Sequence, residues 1–427
     1  MKLKSLIVGA ATALTMVSPA IADLTFPNLT YRTGPYAVNG IPYADGYADY
    51  MALLNSRDGG IGGEKINYIE CETQYNTEKG VECYENTKGE GSLVYQPMST
   101  GITYALIPKA TSDGIPILSM GYGRTSAANG KVFSHIFNYP ANYWVGASVV
   151  VKHMLDENGG NIKGKKLALV HLDAAYGREP IPTLEALAKK HGFELTTIPV
   201  AYGAEQKSQW LQIRREKHDY VTMWGWGVMN PSAIQEAANI RFPMDKFIGI
   251  WWSGSEGDVL PAGSAANGYK SLALHNTGNG FPIYADLKKH VYDKGLASGA
   301  GDQSGTVLYN RGIYSAMLVT EAARQAQKKT GKSKISPADM RDAMEAFSID
   351  EARMAALGLP NFAPSFSVSC ENHGGNGIAA IQQWDATTKT WKMVTDFIEA
   401  DMDVINPLIA ADSAAYAAEN KIKERCS

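Results

Sequence analysis

"KKLALVHLDAAYG", residues 165–177, decides how this chain is organised. Its first half is a near-continuous apolar run of strand length, the pattern of a strand buried on both faces of a parallel sheet. Its second half ends in Tyr176-Gly177 and leads into "PIPTLEALAKKHG" (180–192), whose apolar residues recur at helical spacing. Upstream, strand and helix patterns already alternate: "KINYIECE" (65–72), "GVECYENTKG" (80–89), "SLVYQP" (92–97), "GITYALIPKATSDG" (101–114) and "IPILSM" (115–120). Near residue 164 the rhythm restarts, and it continues through "FELTTIPV", "EQKSQWLQIRREK", "DYVTMWGW", "PSAIQEAANIRF" and "KFIGIWWS". That is too many strands for one sheet. The expectation is an α/β protein of two doubly wound parallel-sheet lobes.

The remaining composition narrows the class. Residues 1–22 carry two lysines, an apolar stretch from Leu6 to Val17, and Ala20-Ile21-Ala22, the three-part pattern of a secretory signal peptide cleaved near Ala22. The mature chain is expected in the periplasm, beginning near Asp23. At 45% apolar and 19% charged residues it reads as globular. A net charge of −3 gives no electrostatic footprint for nucleic acid. The four cysteines suit an oxidising compartment and allow three pairings. Cys71–Cys83 with Cys370–Cys426 is favoured, because the first pair flanks one short strand-to-helix connection. Without CxxC or HExxH, and with eight scattered histidines, no metal site is expected.

In open parallel sheets, ligands bind beyond the C-terminal ends of strands. The unusual residues fall there: Ser99 and Thr100 after "LVYQP", Gly121-Tyr122-Gly123 after "IPILSM", Tyr176 after "LALVHLD", Trp224 and Trp226 in "MWGWGVMNPSA" (223–233), and Trp251 to Glu256 after "KFIGI". No enzyme signature accompanies them. "SGSEG" is not GxSxG, "GYGRTS" lacks a third glycine, and "DGGIGGEK" follows a helix and reads as its stop. Neither catalysis nor a cofactor is expected.

"TGPYAVNG" (33–40), "NSRDGGIGGEKI" (55–66), "IPILSM" and "LVHLDAAYG" (169–177), in this order, resemble periplasmic solute-binding proteins of the leucine/isoleucine/valine-binding type. The resemblance spans nearly the whole mature chain. It implies the type I periplasmic binding fold: two lobes joined by three hinge crossings, at 24–140 plus 277–372 and at 141–276 plus 373–427. It implies a monomer that traps a small solute, most readily a branched-chain or other hydrophobic amino acid, and hands it to the permease subunits of an ABC importer. By position it places Ser99 on the ligand carboxylate, Gly121, Tyr122 and Gly123 on carboxylate and ammonium, Tyr176 on the closing lobe, and Asn39 in the first binding loop. Trp226 takes the place of a second-lobe aromatic. The family's acidic ammonium partner corresponds to Trp251, or to Glu256 if the loop is longer. If Glu256 points away, Tyr122, Trp144, Trp224, Trp226 and Trp251 suit a flat or aromatic acid, or a small amide. Arg124 reads as a lobe-surface charge in preference to a carboxylate clamp.

Overall fold

The computed structural model describes residues 24–201, 205–299, 301 and 303–426; the leader read at 1–22 lies outside them. The first lobe opens with β1 (Leu24–Thr30), α1 (Ala37–Leu53), β2 (Ile66–Glu72) and α2 (Thr77–Thr87). It continues with α3 (Thr100–Asp113), β3 (Ile117–Leu118) and β4 (Ile136–Phe137). β1 pairs in parallel with β2, and β3 with β4. Segment 92–96 joins the two pairs through parallel bridges at Asn28–Gln96 and Tyr95–Ile117. The sequence reads "SLVYQP" as a full strand, but its ladder breaks into bridges because the neighbouring Pro27 and Pro116 have no N–H to donate.

The second lobe begins with α4 (Tyr143–Glu157), β5 (Lys166–Leu172), α5 (Ala175–Arg178), α6 (Ile181–His191) and β6 (Glu194–Val200). Then come α7 (Lys207–Glu216), β7 (Tyr220–Trp224), α8 (Met229–Asn239), β8 (Phe247–Gly249), α9 (Glu256–Val259) and β9 (Lys270–Ala273). The stretch 165–177 is thus β5 and the start of α5, and β5 sits between β6 and β7 in a parallel sheet.

After β9 the chain returns to the first lobe. α10 (Ile283–His290) and α11 (Val307–Thr330) pack on α1, followed by α12 (Pro337–Glu345). A two-residue ribbon of β10 (Ser348–Ile349) and β11 (Phe366–Ser367) flanks α13 (Glu351–Ala356). The chain crosses once more and closes with β12 (Ile378–Asp385), β13 (Thr390–Met393), β14 (Ile398–Glu399) and α14 (Met402–Asn420). β12 and β13 form an antiparallel hairpin and extend the second sheet in the order β13-β12-β9-β8-β7-β5-β6. The passages after β4, after β9 and before β12 are the three crossings of two α/β lobes.

Two close approaches hold the first lobe together. α1 crosses α11 at Gly46 and Gly312: a methyl group on Gly46 would sit 2.0 Å from the Tyr309 carbonyl, and one on Gly312 would sit 2.1 Å from the Tyr43 carbonyl. Only glycines let the backbones approach this far. The disulfides are Cys71–Cys83 and Cys370–Cys426, each with 5.8 Å between Cα atoms, as the favoured pairing has it. α14 starts against the second lobe, where the Asp401 N–H donates to Ser148 Oγ at 2.7 Å. It ends against the first, where Tyr416 stacks on Phe133 at 4.7 Å and Asp412 pairs with Arg124 at 2.6 Å.

Candidate functional site

The strand ends of both sheets meet around one hollow, some 310 Å³ of non-atom space including its mouth. Eight aromatic side chains line it: Tyr31, Tyr43, Tyr75, Tyr122, Tyr143, Tyr176, Trp226 and Trp252, together with Met98, Ser99 and Thr100. No charged side chain is among them.

Local structure places each wall. Tyr31 and Tyr75 lie just past β1 and β2 and meet edge to face at 4.9 Å. Trp226, past β7, continues the ring onto Tyr31 at 6.3 Å and onto Trp252 at 5.6 Å. Tyr43 on α1 and Tyr122 past β3 stand 5.9 Å and 6.1 Å from Trp252. Tyr143 and Tyr176, from the first turns of α4 and α5, form the opposite wall at 5.3 Å. Ser99 is the N-cap of α3, accepting from the Ile102 N–H at 3.4 Å, so Ser99 and Thr100 bring the start of that helix to the cavity. A helix N-terminus favours negative charge.

The hydroxyls are fixed. The Met98 N–H donates to Tyr122 Oη at 2.8 Å, Gln96 Nε2 donates to Tyr43 Oη at 2.6 Å, and Tyr176 Oη donates to the Gly225 carbonyl at 2.9 Å. Burial pushes the phenols of Tyr31, Tyr122, Tyr143 and Tyr176 well above their ordinary range, and that of Tyr43 up to about 12. They stay protonated at any physiological pH.

Of the residues singled out in the sequence, Ser99, Thr100, Tyr122, Tyr176 and Trp226 come together in this lining. The others do not. The Gly121 carbonyl accepts from Trp251 Nε1 at 2.6 Å and from Trp252 Nε1 at 2.9 Å, which occupies both its lone pairs. Gly123 packs against Glu179, and a methyl group there would meet its carboxylate at 2.4 Å. Trp224 and Trp251 are fully buried behind the wall, Trp251 stacked on Tyr143 at 6.1 Å. Asn39 donates to Ser255 Oγ and Asp258 Oδ1, each at 3.2 Å. Trp144 donates to the Glu179 carbonyl at 2.8 Å.

Glu256 points away from the hollow. Its carboxylate accepts the Val307 N–H at 3.0 Å, at the start of α11 in the other lobe. Burial, with Asp258 nearby, pushes it up to about 7. Arg124 turns outward to Asp412 and lies over the Tyr416 ring at 4.7 Å.

Sequence reasoning missed Tyr31, Tyr43, Tyr75 and Tyr143 as lining residues, and gave no role to Met98 and Trp252 at the strand ends it marked. Tyr31 and Tyr75 follow strand ends, so the strand-end rule applied to β1 and β2 would have found them. Tyr43 sits inside α1, and only tertiary packing brings a helix face to the cleft.

A family model described as periplasmic binding protein matches residues 23–389. The Leu/Ile/Val-binding protein homolog 3 of Brucella melitensis biotype 1 is 26% identical over 194 residues, 45% of this chain and 50% of the relative. The chain thus matches half the length of that curated relative. A solved structure described as an ABC transporter permease from the Pseudomonas fluorescens group is 40% identical, with a TM-score of 0.88 over 95% of this chain and 100% of that one. A branched-chain amino acid ABC transporter structure from Thermus thermophilus with bound valine has a TM-score of 0.72 at 18% identity, over 89% and 97% of the two chains. A solute-binding protein of an R. palustris ABC transporter, in complex with benzoate, has a TM-score of 0.68 at 17% identity, over 89% and 98%. With a family match of this extent on a two-lobed α/β frame, this chain belongs to the periplasmic binding protein family.

Proposed function

We propose that this protein is the exported solute-binding component of an ABC importer, and that the aromatic hollow is where it captures its solute. The carrying observation is a lining of eight aromatic rings and the start of α3, without one charged side chain. Such a wall fits a small, flat solute with a carboxylate or amide head. An aromatic or other non-amino-acid carboxylate, or a small amide, fits it better than a branched-chain amino acid. A buried ammonium needs a carboxylate partner, and Glu256 is engaged at α11. The amino-acid reading keeps support from the valine and Leu/Ile/Val-binding relatives.

In the proposed mechanism the lobes, taken as 24–140 plus 277–372 and 141–276 plus 373–427, close on the solute. The first presents Ser99, Thr100 and Tyr122; the second presents Tyr176 and Trp226. Membrane permease subunits receive the solute. On this reading the protein is exported as a monomer, released from its leader near Ala22; no helix among the described residues is long and apolar enough to cross a membrane.

The test is a thermal-shift panel on the mature protein refolded to strip any solute. It spans branched-chain and aromatic amino acids, aromatic carboxylates, small amides and sugars. A ligand at 100 times its Kd adds about 2.7 kcal/mol, a shift of several degrees. Carboxylates without an amine are expected to shift the melt most. A larger shift with leucine or valine returns the assignment to amino acids, and no shift with any member removes the capture reading.

A further inference from the structure

Directly behind the aromatic wall lies a charge without a counter-charge. Arg311, on α11, is fully buried. Its guanidinium lies over the Trp252 ring at 5.1 Å, and Trp252 lines the hollow. Its Nε donates to His275 Nε2 at 2.9 Å and its Nη1 to the Trp251 carbonyl at 3.1 Å, while Nη2 has no partner. No carboxylate pairs with it among the described residues.

His275 cannot be that counter-charge. Burial holds its imidazole well below its ordinary range, so it is neutral, with Nδ1–H donating to the Asn276 carbonyl at 2.8 Å and Nε2 free to accept. The phenols that face Arg311, those of Tyr43, Tyr143 and Tyr314, stay protonated and supply no counter-charge; the first two line the hollow. Desolvation alone pulls the guanidinium down to about 9, the mark of a cation whose solvation the protein has not replaced.

We infer that the solute is an anion without an amine, and that Arg311 is the residue that selects it, the solute's negative charge being the counter-charge that the fold leaves out. Arg311 does not touch the hollow; it acts through Trp252 and Tyr43 as a fixed positive potential in a medium too apolar to screen it. At the first-lobe rim, the start of α3 adds partial charge of the same sign. An ammonium group in this space meets the same potential as repulsion, which sets aside both zwitterionic amino acids and methylated ammonium compounds despite the aromatic lining. The inference rests on the proposed capture site and narrows its solute to one charge class.

The experiment measures binding of matched pairs, benzoate with benzamide and 3-methylbutanoate with leucine, to the full mature protein, its Arg311→Met variant and its Arg311→Lys variant. The wild type is expected to prefer each anion over its uncharged or zwitterionic partner by roughly tenfold to thirtyfold. Arg311→Met should erase that preference, and Arg311→Lys should retain part of it. Arg311→Met should also leave the solute-free melting temperature unchanged or higher, because replacing a buried uncompensated charge by an apolar chain removes a cost. A merely structural arginine would instead lower the melt and weaken both members of a pair alike. An unchanged preference in Arg311→Met overturns the assignment, as does tighter binding of the amide or of leucine by the wild type. Those last outcomes leave solute capture standing, whereas no binding of any member overturns both readings.

Discussion

At Glu256 the local turn sends a side chain away from the place that position matching gives it. Position matching sets it against a ligand ammonium, but the residues around it turn it elsewhere. Ser255 and Asp258 form a capping box that starts α9, with Asp258 Oδ2 accepting from the Ser255 N–H at 2.8 Å. That turn directs Glu256 to Val307, across to the other lobe. The capping signature is legible at 255–258; the partner it leads to is not, because α11 lies some fifty residues further along. Its carboxyl is raised to about 7 by burial, so the folded protein holds that proton more tightly than the unfolded chain. Burial favours the neutral carboxyl, so the stability tied to that proton is full below the ordinary carboxyl range and is lost as pH rises through about 7, while the Val307 N–H partly offsets the loss by stabilising the carboxylate. Glu256→Gln, neutral at every pH, should melt close to the wild type at pH 5 and above it at pH 8. Parallel melting curves for the two proteins across that range would contradict the argument.

Among the elements, strands were the more legible class. β5, β7 and β8 are apolar runs, and the rule that ligands gather beyond strand ends picks out Ser99, Tyr122, Tyr176 and Trp226, which the fold brings together in the lining of the hollow. It also takes in Trp224, the last residue of β7, and Trp251, in the turn past β8, which are fully buried outside the lining; a sequence does not say which side of a strand or turn the cleft takes. Helices were less legible. α1 shows nearly continuous burial along its aromatic length, so its pattern does not mark Tyr43 as the residue that reaches the hollow. The crossing of α1 and α11 does that, and it also carries Arg311 beside Trp252. Gly312→Ala puts a methyl group 2.1 Å from the Tyr43 carbonyl and forces the two helices apart. We expect a loss of roughly 1–3 kcal/mol in chemical denaturation, the range for overpacking, together with weaker solute binding because Tyr43 and Arg311 shift with their helices. Full affinity in a destabilised variant would separate the crossing from the site.

For the whole molecule, the restart of rhythm near residue 164 made two lobes legible, and the cysteine spacing favoured the pairing found. The course of α14 was not legible, because an amphipathic helix records that it packs but not on which lobe. α14 straps one lobe to the other, and Cys370–Cys426 anchors its far end across a separation of 56 residues. On loop-closure entropy alone that bond contributes about 4 kcal/mol, so the Cys370→Ala, Cys426→Ala double variant should unfold at clearly lower denaturant while keeping its solute preference. A matching midpoint would mean that packing of Tyr416 on Phe133 suffices to hold the strap. The aromatic wall carries one more consequence, in light rather than in free energy. Of the eight tryptophans, only Trp226 and Trp252 border the hollow. If the hollow is the capture site as proposed, their indoles form a pair of fluorophores whose surroundings change with occupancy, so emission under ultraviolet excitation reports filling without a dye or label.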